Sequence, residues 1–222
     1  MSRPFSIAFI CTGNRFRSPL AAAFVERLTL GLPVRVETAG ILELVGAPAL
    51  EVALQVALVC GVDLSAHRSQ PLSSVRLDHV DVVLGFEEEH VRHAIVDGGA
   101  ARSRSFTFRE FVELLRHVMP RDAMGLGPVE RARAGVEHAA ELRHEVLFAP
   151  RRANVADSFG RSAKAQRDTA AEIRELSLRL VDGLFGTPTA GGLLPVPEKI
   201  GGRRWLVLSP LRSVRQRLPR LV

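Results

Sequence analysis

Short apolar runs alternate along this chain with longer segments in which apolar positions recur at helical spacing. The run at 6–10 is almost entirely apolar, and the run at 80–84 is apolar except for Asp81, a pattern typical of strands buried on both faces of a sheet. Two short segments with more polar residues, at 34–37 and 103–106, are the other predicted strands. Because helical segments separate these strands, the pattern favours an α/β domain with a parallel sheet.

Residues that favour helix ends mark several of the helical segments. The predicted helices cover residues 19–30, 49–59, 87–95, 108–117, 128–147 and 163–184. We expect Ser18 to cap the first helix, because a serine hydroxyl accepts from free first-turn amides and Pro19 suits the first helical position. Gly61 is expected just past the end of the second helix. His90 and His93 share one helix face, which we interpret as solvated.

Composition and charge describe a folded body with one basic segment. The 222 residues are 46% hydrophobic and 24% charged, with a net charge of +6, so disorder throughout the chain is excluded. Residues 199–222 contain one lysine, six arginines and no acid, which leaves the body nearly neutral. We therefore expect a domain over 1–185, a Gly/Pro-rich linker with a basic tail over 186–222, and no specific nucleic-acid binding. The tail is suited to contact acidic surfaces.

The expected location is the cytoplasm. Two cysteines in this length exclude a disulfide scaffold and favour a reducing compartment. The sequence has no apolar stretch near the ~20 residues that span a bilayer. The apolar run at the N-terminus is short and lacks a signal-peptide cleavage pattern.

The end of the first predicted strand carries residues suited to binding an anion. Cys11 stands where the strand stops, Arg17 follows six residues later, and Gly13 and Asn14 lie between them. A loop that enters a helix N-terminus turns backbone N–H groups inward, and the helix dipole adds positive potential for a tetrahedral dianion. The same field favours the thiolate, so we expect Cys11 to be a nucleophile. Arg17 can hold two phosphoryl oxygens with its planar fork.

Five segments, in matching order, resemble motifs of the low-molecular-weight protein tyrosine phosphatase family, which includes thiolate-based arsenate reductases. They are FICTGNRFRSPLAAAF at 9–24, ETAG at 37–40, VDLSAHRS at 62–69, VLGFE at 83–87 and NVADSFG at 154–160. The resemblance covers about residues 5–185. It implies a three-layer α/β sandwich in which helices cover both faces of a four-stranded parallel, flavodoxin-like sheet of order 2-1-3-4.

The resemblance implies a cysteine-dependent phosphomonoester hydrolase of the protein tyrosine phosphatase type, which uses neither a cofactor nor a metal. Cys11 would form a phosphocysteine, Asp157 would act as general acid and then base, and Ser18 would donate a hydrogen bond to the sulfur. The loop residues expected to hold the phosphoryl oxygens are Thr12, Gly13, Asn14, Arg15, Phe16 and Arg17. The residues expected to support the loop are Asn14, Thr38 and His67, and Phe159 is expected as a wall of the cleft.

Two departures from the family pattern and two alternative functions follow from the same residues. Ser158 stands where the family usually has proline after the acid, and Phe16 replaces a second loop cysteine, which excludes a disulfide within the loop. Arsenate has the shape and charge of phosphate, so arsenate reduction stays open; with Cys60 as the only other cysteine, it would need an external low-molecular-weight thiol. A catalytically weak oxyanion-binding module is the third functional hypothesis. The expected partner is a phosphorylated protein or a small phosphate or arsenate, and the expected state is a monomer or weak dimer.

Overall fold

A four-stranded parallel sheet forms the centre of the molecule, in a computed structural model that describes residues 3–117, 125–143, 153–186 and 192–196. The strand order is β2-β1-β3-β4 and every pairing is parallel. The strands are β1 (Phe5–Cys11), β2 (Val34–Gly40), β3 (Val82–Gly85) and β4 (Ser105–Thr107). The parallel α/β class and the order 2-1-3-4 expected from the sequence are therefore confirmed.

In the described ranges, six α-helices of eight or more residues connect and cover these strands. They are α1 (Arg17–Leu28), α2 (Glu51–Val59), α3 (Glu88–Val96), α4 (Phe108–Leu115), α5 (Pro128–Leu142) and α6 (Ala163–Phe185). Gly61 follows α2 with a φ of 85°, the left-handed conformation expected after a helix end. The predicted cap of α1 is wrong, because this helix already begins at Arg17, with Phe16 in the N-cap position.

The central strand β1 is buried on both faces, as its continuous apolar run predicts. Phe5, Ile7 and Phe9 lie in a large core with residues of α1, α2, α4, α5 and α6. Ala8 and Ile10 point to a smaller core that includes residues of α3. This alternation places helices on both sides of the sheet. The loop that follows β1 therefore starts at the carboxyl end of the strand, between the two helix layers.

Part of the predicted organisation lies outside the described residues. This applies to the end of the helix expected at 128–147, beyond residue 143, and to most of the linker and basic tail at 186–222. Residues 192–196 are described, and Leu193 packs into the large core. Within the described part of the chain, no helix combines the length and the apolar character needed to cross a bilayer.

Candidate active site

The loop between β1 and α1 turns its carbonyl groups outward. The Cys11 and Thr12 carbonyls each accept at 3.0 Å from a backbone N–H just after β2, and the Arg15 carbonyl accepts at 2.8 Å from Leu50. In a planar trans peptide the next N–H points opposite to the carbonyl. The amides after these outward carbonyls therefore face the concave side of the loop. Within the described part of the chain, the amides of residues 13–16 donate to no protein group, which leaves them for an anion.

Asn14 holds this loop in a conformation that most residues avoid. Its φ is 51°, the one positive value at a non-glycine residue in the described ranges, and asparagine tolerates that region better than most residue types. Its side chain donates to Ser18 Oγ at 2.8 Å and accepts from the Gln70 amide at 3.0 Å. Its carbonyl lies 2.7 Å from His67 Nε2. The side chain and the backbone of Asn14 are thus both fixed by neighbouring segments.

The last residues of β2 support the loop through their backbone. The Thr38 carbonyl accepts from the Gln70 side chain at 2.7 Å, so Thr38 reaches Asn14 through Gln70. A Cβ added to Gly40 would lie 2.8 Å from the Thr12 carbonyl oxygen and 2.9 Å from the Asn14 nitrogen. Gly40 therefore gives the loop room to lie against β2. Sequence reasoning did not include this glycine among the site residues, although it closes the quoted ETAG motif.

Cys11 and Ser18 form a buried pair at the base of the loop. The Cys11 Sγ lies 3.0 Å from the Ser18 Oγ, and both residues are buried. Because Asn14 donates to the same hydroxyl oxygen, the hydroxyl hydrogen of Ser18 is available to the sulfur. This contact explains why Ser18 does not cap α1: its side chain is directed at the cysteine.

Arg17 is a buried cation placed between two carboxylates. Its side chain is 3% exposed, its Nη1 donates to the Glu87 carboxylate, and its Nη2 lies 3.0 Å from Asp157 Oδ2. Nη1 also donates to the Val155 carbonyl at 3.2 Å, and Nη2 to Thr12 Oγ1 at 2.8 Å. These contacts compensate for the burial of the guanidinium and fix its plane.

The acid loop that carries Asp157 is attached to the end of β3. The Val155 amide donates to the Phe86 carbonyl at 2.7 Å. One Asp157 oxygen accepts from the Phe159 amide at 2.9 Å while the other faces Arg17. Ser158 is 2% exposed, and its Oγ has no hydrogen-bond partner in the part of the chain described. Ser158 therefore points away from solvent, whereas its neighbours Asp157 and Phe159 line the cleft.

His90 occupies a position that the sequence did not predict. It is 1% exposed, not part of a solvated face, and its Nε2 lies 3.0 Å from Thr12 Oγ1. Glu87 is the N-cap of α3, and its side chain and that of His90 form a reciprocal capping box. The Glu87 carboxylate therefore both caps α3 and pairs with Arg17. The signal available in the sequence was the spacing of these two residues, which matches N-cap and N3 positions.

We expect the buried His90 to make the stability of the fold depend on pH. Burial, with the nearby Arg17 charge, lowers the pKa of His90 to about 3. Between that value and the ordinary histidine pKa near 6.5, the unfolded chain binds a proton that the folded chain does not. The free energy of unfolding should therefore fall as pH falls through this window, by up to about 1.4 kcal/mol per pH unit.

Denaturant unfolding at several pH values checks this expectation, and the H90Q variant supplies the comparison. Glutamine does not titrate, so the variant should lose that part of the acid sensitivity. Equal slopes for the two proteins between about pH 4 and 6 would contradict the assignment of this proton to His90.

A pocket of about 130 Å³ connects these groups. Cys11, Arg17 and Asp157 all line it, and Arg15 stands at its wall with its Nε donating to the Pro48 carbonyl at 2.8 Å. The apolar residues of the lining include Leu42, Leu44, Leu50 and Phe159. Phe159 is 71% exposed. The pocket therefore combines a thiol, a guanidinium and a carboxyl group with apolar walls.

Comparisons with a family model, with related sequences and with solved structures all indicate the family that the sequence motifs resemble. The family model described as "Low molecular weight phosphotyrosine protein phosphatase" matches residues 6–127. A protein-arginine-phosphatase of Geobacillus stearothermophilus is 35% identical over 109 residues, which cover 49% of this chain and 72% of that protein. The low molecular weight protein-tyrosine-phosphatase Etp of Escherichia coli strain K12 is 32% identical over 108 residues, with 49% of this chain and 72% of Etp covered.

Solved structures agree with the fold. The YwlE arginine phosphatase from Geobacillus stearothermophilus superposes with a TM-score of 0.58 at 26% identity, over 82% of this chain and 93% of that one. A low molecular weight protein tyrosine phosphatase from T. tengcongensis gives a TM-score of 0.57 at 24% identity, over 81% of this chain and 99% of its own. With the family model spanning more than half of its residues, this chain belongs to the low molecular weight phosphotyrosine protein phosphatase family of enzymes.

Proposed function

We propose that this chain hydrolyses phosphate monoesters on proteins, with phosphotyrosine as the preferred substrate, through a phosphocysteine on Cys11. The observation that carries the proposal is the arrangement of one pocket. A buried cysteine lies at the end of β1 below the loop amides, and a fixed guanidinium and a carboxyl group that contact each other line the same pocket. This set provides the nucleophile, the oxyanion stabilisation and the proton donor that phosphoryl transfer requires.

In the first step the Cys11 sulfur attacks phosphorus and the bond between phosphorus and the ester oxygen breaks. Asp157 gives its proton to the leaving oxygen, so that the alcohol departs neutral. The loop amides hold the phosphoryl oxygens as charge develops on them. The Arg17 N–H that now faces Asp157 would turn to a phosphoryl oxygen when the dianion enters.

In the second step a water molecule attacks the phosphorus of the phosphocysteine. Asp157, now ionised, takes a proton from that water, and the sulfur–phosphorus bond breaks to release inorganic phosphate. The sulfur leaves as a thiolate, which is stabilised by the hydrogen that Ser18 directs at it. Cys11, Asp157 and Ser18 return to their starting states, so atoms and charge balance over the cycle.

The lining of the pocket favours phosphotyrosine over phosphoarginine, although relatives include enzymes named for each. The walls contain the apolar side chains of Leu42, Leu44 and Phe159, which can pack on an aromatic ring. A phosphorylated guanidinium carries positive charge beside the phosphoryl group. The Arg15 guanidinium at the wall would repel that charge, since Arg15 has no carboxylate partner among the described residues.

The position of the second cysteine supports arsenate reduction less well than phosphate-ester hydrolysis. Cys60 is 1% exposed in the large core, and burial raises the pKa of its thiol. A buried neutral thiol is a poor nucleophile towards an arsenic–cysteine adduct. That reaction would depend wholly on an external thiol, whereas hydrolysis uses groups that already line the pocket.

The test compares two peptides of identical sequence that carry phosphotyrosine or phosphoarginine. We expect kcat/KM for the phosphotyrosine peptide to be higher by at least about tenfold, and the R15Q variant to narrow this ratio by accelerating the phosphoarginine reaction. The matched control is R35Q, which removes an exposed charge on β2 that does not line this pocket. A ratio near one would contradict the substrate preference. An unchanged ratio in R15Q would remove Arg15 from the account, and turnover of neither peptide would contradict the hydrolase itself.

A further inference from the structure

The Thr12 side chain is held by two donors at once. Arg17 Nη2 lies 2.8 Å from Thr12 Oγ1, and His90 Nε2 lies 3.0 Å from the same atom. The arginine can act only as a donor. The role of the histidine depends on which of its two ring nitrogens carries the hydrogen.

The backbone decides that tautomer. The Glu87 amide donates to His90 Nδ1 at 3.0 Å, so Nδ1 is the acceptor nitrogen of the neutral ring. The hydrogen of the ring must then reside on Nε2, which makes His90 a donor to Thr12. The N-cap position of Glu87 and its reciprocal contacts with His90 fix the ring in this orientation.

The two donors fill both lone pairs of the threonine oxygen. A hydroxyl group has two acceptor positions and one donor hydrogen, so the hydrogen of Thr12 is left to point in the one remaining direction. Thr12 lines the pocket with Cys11 and Asp157. The same Nη2 that donates to Thr12 also lies 3.0 Å from Asp157. The Thr12 hydroxyl therefore shares a hydrogen-bonding partner with the proposed general acid.

We propose that the Thr12 hydroxyl, oriented by His90 and Arg17, donates a hydrogen bond to a non-bridging phosphoryl oxygen. Thr12 is then a catalytic residue through its side chain, in addition to the backbone amide expected from the loop motif. His90 is a positioning residue that acts through Thr12. The effect on turnover rests on the proposed hydrolase function, whereas the effect on oxyanion binding does not. The bond should be strongest where the phosphoryl oxygens carry most charge, which is in the transition state.

The first experiment removes the hydroxyl without changing the shape of the side chain. T12V is compared with T12S, which keeps the hydroxyl. Thermal unfolding of both variants is the check that they fold. We expect T12V to lower kcat/KM for p-nitrophenyl phosphate and to weaken the binding of inorganic orthovanadate, each by about 10- to 100-fold, because a hydrogen bond to a charged oxygen is lost. T12S should remain within about threefold of the parent protein in both measurements.

The second experiment tests whether His90 acts through Thr12. We expect H90L to lower kcat/KM in the parent protein but to cause no further loss in the T12V background. H90Q, which keeps an N–H donor, should recover most of the activity lost in H90L. A merely structural role of His90 would give equal losses in both backgrounds.

The outcomes separate this inference from the proposed function. If T12V and T12S bind orthovanadate equally and turn over substrate equally, the role of the hydroxyl is overturned. If His90 is equally important with and without the hydroxyl, its positioning role is overturned. If the parent protein binds orthovanadate through Thr12 but hydrolyses no phosphate ester, the hydrolase proposal fails and the oxyanion contact stands.

Discussion

C11S is expected to abolish hydrolysis of aryl phosphates, with a loss of at least about 10⁴-fold in kcat. The fold should persist, because serine is close to cysteine in size and the Ser18 hydroxyl still has a partner at this position. The loss has a chemical cause: a serine hydroxyl is a far weaker acid than a cysteine thiol, and the anion is the form that attacks phosphorus well. Steady-state turnover of p-nitrophenyl phosphate is the measurement.

The matched control for this variant is the second cysteine. Cys60 lies in the core at the end of α2, so C60A should keep normal turnover and lose only stability. If C11S retained more than about 1% of the parent rate, or if C60A lost activity to the same extent without unfolding, covalent catalysis at Cys11 would be contradicted.

R17K is expected to lower kcat by about 10²- to 10³-fold although the positive charge is kept. The Arg17 guanidinium uses two nitrogens at once, one towards Glu87 and Val155, and the other towards Thr12 and Asp157. A lysine ammonium is a single point and cannot reproduce this planar arrangement or hold two phosphoryl oxygens. We expect most of the loss in kcat/KM to come from kcat and little from KM, because the planar guanidinium stabilises the charge that develops in the transition state.

The control for this second variant lies on the same helix. Arg27 is exposed in the last turn of α1, so R27K should leave kcat and KM unchanged. A rate for R17K within about tenfold of the parent protein would show that charge alone suffices, and the bidentate role of Arg17 would then be wrong.

The parts of the site that sequence could predict are those set by local order. The apolar run of β1, the cysteine at its end and the Gly13–Asn14 pair follow one another within one segment, so their juxtaposition needs no tertiary information. Ser18 shows where local propensity misleads. Its residue type favours a helix cap, but the hydroxyl contacts the cysteine sulfur and the Asn14 amide group instead. The helix begins at Arg17, one residue before Ser18.

The parts that sequence missed depend on which faces meet after folding. His90 and Thr12 are 78 positions apart in the chain, and a histidine on one helix face looks the same whether that face is buried or solvated. Glu87 was expected only as the first residue of a predicted helix. Its second role arises because the parallel order β1-β3 brings the start of α3 beside the start of α1, where it meets Arg17.

The most direct test of the account is to trap the covalent intermediate. In a D157N variant the second step should slow more than phosphoryl transfer from an aryl phosphate with a good leaving group, because the water loses its base while that leaving group needs little protonation. Rapid acid quenching followed by mass spectrometry of the peptide that contains residue 11 should then show one added phosphoryl group, absent when residue 11 is alanine. Turnover of the substrate with no phosphoryl group on Cys11, or with the group on another residue, would contradict the central claim.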